Sequence, residues 1–393
     1  MRTKLLFLRS LMPLQSNTLR GGGCLHHHPA GSSTRCVSNS IMMPPPTSYE
    51  RQPVAATRSS TTCRHASSTS SSEIAASFEA PEPPKSHGHP VFPDIQFDNI
   101  NKSSSSGDDN RNSDPNAVFV ISGASRGIGL QFVKSLLERT NGKVIACCRS
   151  PPTTSNPASS SNNQLYNLAK EYTNRMEILP LDIEDQTSID TLSTYITKKY
   201  QRIDALFNVA GLLGDGGITT PGPERSISSI DRDWMMKSLG VNLIGPTMLI
   251  QALSPLMRTI GKRKIVIDDN DDTTVVIPPT NRPPTIIINL SARVGSISDN
   301  QLGGWYTYRA SKSALNQITR TSSHELKRQG THVISIHPGT TDTDLSKPFQ
   351  ANVQKSRLFP VEFTVEKLLD VVDCVEEVNN GGFYDWAGKA LPF

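Results

Sequence analysis

Cysteine is scarce in this chain of 393 residues: there are six, with Cys24, Cys36 and Cys63 near the N-terminus and Cys147, Cys148 and Cys374 beyond residue 115. Cys147 and Cys148 are neighbours on a strand-like run, where successive side chains point to opposite faces, so no disulfide framework is implied and a reducing compartment fits. An apolar run long enough for a membrane anchor is also missing, since Leu5-Leu6-Phe7-Leu8 is broken by Arg9. That run is too short for a secretory core and far too short to span a bilayer. Acids are nearly absent from residues 1–72, where Glu50 stands against Arg2, Lys4, Arg9, Arg20, Arg35, Arg51, Arg58 and Arg64, giving +7. The whole chain carries +4, so residues 73–393 carry about −3, which speaks against nucleic acid or an anionic membrane as partner. His26-His27-His28 lacks fixed ligand geometry, and no metal is expected.

The first 115 residues are rich in Ser, Pro, Thr, Asn and Gly and hold no sustained period of 2 or 3.6. Such a segment buries too little apolar surface to offset its chain entropy. Residues 1–72, Arg- and Ser-rich and acid-poor, read as a disordered mitochondrial transit peptide with cleavage near Arg64-His65-Ala66-Ser67, a cytoplasmic extension or a plastid signal being the alternatives. Residues 73–115 read as a low-complexity linker. From 116 to 393 strand-like and helix-like segments alternate, which predicts one α/β domain built on a doubly wound parallel sheet. Strands are expected at 117–121, 143–148, 176–181, 203–209, 285–290, 331–337 and 382–385, and helices over 130–139, 185–200, 230–257, 305–328 and 364–378. A polar insertion at 151–163 precedes a further short helix. Residues 261–284, with Asp268-Asp269-Asn270-Asp271-Asp272 and two Pro-Pro pairs, read as an inserted loop in which 264–267 and 274–277 can pair as a hairpin.

Between the first strand and first helix stands Gly123-Ala124-Ser125-Arg126-Gly127-Ile128-Gly129. Glycines are needed where a turn is tight and where backbone must approach a pyrophosphate, whose charge then rests on the helix N-terminus. Further on, Tyr308 and Lys312 are four apart on a helical stretch and project from one face. An ammonium near a phenol favours phenolate, which would make Tyr308 a usable proton donor and acceptor, as carbonyl reduction requires.

Together with Asp182, Asn208-Val209-Ala210-Gly211, Asn242 and Pro338-Gly339, these motifs make residues 116–393 resemble the short-chain dehydrogenase/reductase family. Ser291-Ala292-Arg293-Val294-Gly295-Ser296, His337-Pro338-Gly339-Thr340 and Gly381-Gly382-Phe383-Tyr384-Asp385-Trp386 look like its C-factor-like, sniffer-type carbonyl reductase subgroup. The resemblance implies a Rossmann fold, a small-molecule carbonyl or alcohol substrate, and a homodimer or homotetramer through the helices around Asn242 and Tyr308. It implies Tyr308 as general acid/base, Lys312 lowering its pKa and holding the nicotinamide ribose, and Asn242 holding a water in a proton relay. Ser125, Arg126 and Ile128 fall within the cofactor turn; Asp182 would accept from the adenine amino group, Asn208 and Gly211 would line the cofactor, and Thr343 beyond Pro338-Gly339 would meet the carboxamide or a phosphate.

One position departs from the family pattern. The catalytic serine's usual place is Ala292, which leaves Ser291 as the preferred polarising hydroxyl and Ser296 as its competitor. At the end of the second strand, Ala146-Cys147-Cys148-Arg149-Ser150 holds no acid for ribose hydroxyls, and Arg149 with Arg126 can clamp a 2′-phosphate, so NADP is expected over NAD. The function expected is an NADP(H)-dependent oxidoreductase interconverting a carbonyl and an alcohol. Ala292 keeps open the alternative of a nucleotide-binding regulatory or signalling protein with little turnover.

Overall fold

Valine, isoleucine and small residues fill the strands of the central sheet without polar alternation, as expected of strands covered on both faces. In chain order these are β1 (Val118–Ser122), β2 (Lys143–Cys148), β3 (Met176–Pro180), β4 (Ala205–Asn208), β5 (Thr285–Leu290), β6 (Thr331–His337) and β7 (Phe383–Asp385). Every pairing is parallel, and the spatial order is β7-β6-β5-β4-β1-β2-β3. The order reverses between β1 and β4, so a crevice opens beyond their C-terminal ends, where open α/β sheets bind ligands. The computed structural model describes residues 92–97, 111–151, 160–215, 217–268, 273–277 and 282–393. The expected transit peptide, most of the linker, residues 152–159 of the polar insertion and the acidic turn at 269–272 lie outside them.

Strand alternation divides the core in two. Phe119, Ile121, Val144, Ala146, Cys148, Phe207 and Ile288 pack against α1 (Gly127–Arg139), α2 (Ser160–Glu171) and, further on, α7 (Val361–Asp373). Val118, Val120, Ile145, Cys147, Leu206 and Ile287 face α3 (Gln186–Lys199) and α5 (Gly245–Leu253), with Leu326 of α6 (Tyr306–Leu326) completing that layer. Cys147 and Cys148 thus sit on opposite faces as free, buried thiols. The insertion between α5 and β5 contains the expected antiparallel hairpin, Arg263–Asp268 with Thr273–Ile277, outside the main sheet.

Two expectations change. The single helix expected over 230–257 is broken into α4 (Arg232–Leu239), a π-helical turn (Gly240–Ile244) and α5. Pro246 has no N–H to give the Asn242 carbonyl, as an unbroken α-helix would require, and the Gly245 N–H reaches back to Gly240 instead. Although Arg232–Met257 is long and apolar enough to cross a membrane, Trp234, Leu249 and Leu253 of it are packed inside the domain. The linker also contributes to the fold: Ile95 is buried, its N–H meets the Gly388 carbonyl at 2.8 Å, and Phe92 packs edge-on to Tyr384 and Phe393. The folded region therefore begins ahead of residue 116.

Candidate active site

A cavity of about 730 Å³ lies at the C-terminal ends of the strands, and every residue singled out from the sequence as catalytic or cofactor-binding lines it except Asn208, Asn242 and the alternative serine, Ser296. Its floor is the glycine turn. Gly123 has φ +70°, and a Cβ there would stand 2.8 Å from the Ala210 backbone; one on Gly129 would stand 2.2 Å from the Gly123 carbonyl oxygen. No side chain caps α1, and no acid stands in its first turn. Glycines that admit no side chain, leading into an uncapped helix N-terminus, fit the pyrophosphate of a dinucleotide. Arg126, Arg149 and Asp182 surround the end of the cavity formed by β1, β2 and β3. Arg126 faces Asp344 across the mouth at 4.0 Å, both well exposed, a pair that adds little stability.

Tyr308 and Lys312 project from the first two turns of α6 into the same cavity. Lys312 is 4 % exposed, donates to the Leu290 carbonyl at 2.7 Å, and places Nζ 5.7 Å from the centre of the Tyr308 ring. Burial pushes the phenol above its ordinary range and pulls the ammonium down to about 8. Loss of water around each group sets both directions, opposite to the expectation that Lys312 draws the phenol toward phenolate. The protonated phenol that results is the form able to donate to a developing alkoxide.

Three sequence-predicted residues are engaged elsewhere. Asn208 donates to Asn289 Oδ1 at 2.8 Å and stitches β4 to β5 beneath the cavity. Asn242, fully buried in the π-turn, clasps the Leu212 backbone with its carboxamide, accepting from N–H and donating to C=O at 2.7 Å each, and its amide nitrogen also lies 3.1 Å from Ser311 Oγ. That carboxamide is spent on scaffolding and has no hydrogen left for a water. Ser291 gives its hydroxyl hydrogen to Asn316 Oδ1 at 2.7 Å, so the preferred polarising donor is already committed. Ser296 is buried, accepts from the Asp299 N–H, and is absent from the lining. Ala292 lines the cavity without a hydroxyl.

Sequence reasoning missed the aromatic wall. Trp305, in the left-handed region at φ 55° after Gly303-Gly304, stands 5.3 Å from Phe349 and 6.2 Å from Tyr308, with Val294, Leu302 and Leu345 beside them. Leu358 and Phe359, nearby in sequence, do not line the cavity, and Phe359 packs on Trp386. Among the described residues no cluster of His, Cys, Asp and Glu could hold a metal ion.

Residues 117–267 and 273–354 match the family model of short chain dehydrogenases. A 1-hydroxy-2-glutathionyl-2-methyl-3-butene dehydrogenase of Rhodococcus sp. (strain AD45) is 27% identical over 276 residues, covering 70% of this chain and 99% of its own. The C-signal protein of Myxococcus xanthus is 26% identical over 191 residues, 49% of this chain and 93% of its own. Among solved structures, the NADPH-bound carbonyl reductase from chicken fatty liver (26% identity) and the carbonyl reductase Sniffer of D. melanogaster (28%) each superpose with a TM-score of 0.56, over 71% of this chain and 99% of theirs. A seven-stranded parallel sheet, a glycine cradle at its switch point and a match across most of the folded region have one reading: the chain belongs to the short-chain dehydrogenase family of NAD(P)-dependent oxidoreductases.

Proposed function

We propose that the chain interconverts a carbonyl and an alcohol with NADP(H), using Tyr308 as the general acid/base. The observation that carries this reading is that Tyr308 and Lys312 open into the same cavity as the glycine turn. When bound, the nicotinamide supplies or takes the hydride. Tyr308 gives its proton to the alkoxide oxygen, and Lys312, with an ammonium that titrates at about 8, is suited to hold ribose hydroxyls and return a proton to the phenol. Ala292 has no hydroxyl and Ser291 is committed, so Tyr308 carries polarisation as well as protonation. Trp305, Phe349 and Val294 favour a bulky apolar or aromatic substituent on the carbonyl and exclude water from its vicinity.

NADP is supported by Arg149 and Arg126 at the cavity and by the lack of an acid at the end of β2. Arg149→Ala is expected to weaken NADPH binding by about 10- to 100-fold, the worth of one charge-assisted hydrogen bond, and to leave NADH affinity nearly unchanged. Fluorescence titration checks this; equal losses for both nucleotides would point away from the 2′-phosphate. The missing hydroxyl at 292 also favours a second reading, a nucleotide-binding regulator with little turnover. Assay of NADPH oxidation against aldehydes, ketones and quinones separates them, since the regulator would bind NADPH without Tyr308-dependent turnover.

A further inference from the structure

Glu224 is a buried acidic side chain for which the reaction described above has no use. It lies between β4 and α4, is 2 % exposed, and does not line the cavity. Its contacts all go to the start of α6. Oε2 accepts from the Thr307 N–H at 3.1 Å, Oε1 accepts from the Thr307 hydroxyl, and the Glu224 main-chain carbonyl accepts from the Trp305 N–H at 2.5 Å.

That placement answers a defect in the helix. The first four N–H groups of any α-helix lack partners within it and are ordinarily met by a side chain just before the helix. Trp305 holds the capping position of α6, has no side-chain oxygen to offer, and makes no capping hydrogen bond. The cap instead arrives from 83 residues away. An acidic group is well suited there, because the helix N-terminus carries partial positive charge.

The consequence falls on Tyr308, the third residue of α6, which lies in the turn that frays first when a cap is lost. Lys312, one turn later, is held independently by the Leu290 carbonyl, and Gly295 lies against its Cβ. We propose that Glu224 is a positioning residue: it fixes the first turn of α6 so that Tyr308 keeps its place relative to Lys312, and through Trp305 it ties the aromatic wall to the same turn. The proposal rests on the reading of Tyr308 as the proton donor.

The test uses the full chain, with NADPH and the fastest carbonyl found in a panel of aromatic aldehydes, ketones and quinones, at a temperature where each variant is folded by circular dichroism. Glu224→Ala is expected to lower kcat about 10- to 100-fold, the scale of a displaced catalytic group, while the Kd for NADPH moves less than about threefold. Glu224→Gln still accepts from the Thr307 N–H and can donate to its hydroxyl oxygen, so its kcat is expected within about threefold of the parent. Should Glu224→Ala fail to fold, Thr307→Val, which removes the hydroxyl contact and keeps the backbone one, is expected to lower kcat in the same direction with NADPH affinity intact. A Glu224→Ala or Thr307→Val protein that melts earlier yet turns over at the parental kcat would overturn the proposal, as would a loss of NADPH affinity parallel to the loss of kcat. Parental turnover in Tyr308→Phe would instead overturn the assignment of the proton donor, so the two failures are distinct.

Discussion

Replacing Tyr308 by Phe is expected to lower kcat for carbonyl reduction by about 10²- to 10⁴-fold, the usual worth of a positioned acid, and to leave the Kd for NADPH within a small factor of the parent. The expectation follows from what the substitution removes. Phe keeps the ring, and with it the packing against Trp305 and the Lys312 side chain. It deletes the hydroxyl, the group proposed to supply the proton once Ser291 is spent on Asn316 and position 292 is alanine. In a family member with a free serine, some polarisation would survive loss of the tyrosine; here the remaining rate should be low. The glycine turn, Arg126 and Arg149 are untouched, so binding and turnover should separate cleanly. A parallel loss of both would mean that the phenol serves binding rather than chemistry.

The second large effect is expected far from the cavity, at the N-terminal ends of the strands. Asp204, 3 % exposed just before β4, accepts from the Val118 N–H at 2.8 Å, from Arg202 at 2.7 and 2.9 Å, and from Arg282 at 2.9 Å. Arg202 has a second acid in Asp114, whereas Arg282, its side chain 8 % exposed, has Asp204 as its ion pair and two backbone carbonyls. Burial already pulls the Arg282 guanidinium below its ordinary range. Asp204→Ala strands that charge and the Val118 N–H together, and removing one partner of a buried pair costs about 3–5 kcal/mol. For a domain of this size the melting temperature should fall by roughly 10 °C. Because β4 separates Asp204 from the cavity, kcat measured well below the transition should stay near the parent. Thermal unfolding followed by circular dichroism, with NADPH turnover in parallel, checks both halves; a drop of a degree or two would mean that water relieves the stranded arginine.

The strands were legible because strands buried on both faces appear as unbroken apolar runs: Lys143–Cys148, Thr285–Leu290 and Thr331–His337 stand where the sequence puts them. The cofactor turn was legible because its glycines answer a local demand, close backbone approach, that no other residue meets. What stayed hidden depends on partners distant in sequence. Nothing near Asn208 or Ser291 says that each is bound to an asparagine on another element, Asn289 and Asn316. The π-turn at Gly240–Ile244 escaped notice because one extra residue per turn barely disturbs an apolar pattern read at a period of 3.6, although Gly-Pro at 245–246 was a usable warning. Phe92, Ile95 and Phe97 were masked by the Ser- and Pro-rich segment around them, yet they find apolar surface at the end of the sheet. The direction of the Tyr308 shift was missed for a related reason: spacing reveals that two groups are close, not how dry their surroundings are.

The central claim is tested most directly by a single-turnover measurement, in which enzyme saturated with NADPH is mixed with excess aromatic carbonyl and nicotinamide absorbance is followed with product analysis. The account predicts loss of the reduced-nicotinamide signal with one equivalent of alcohol formed per site, slowed about 10²- to 10⁴-fold in Tyr308→Phe. Nicotinamide oxidation at the same rate in Tyr308→Phe, or none in the parent across aldehydes, ketones and quinones despite saturated binding, would contradict it.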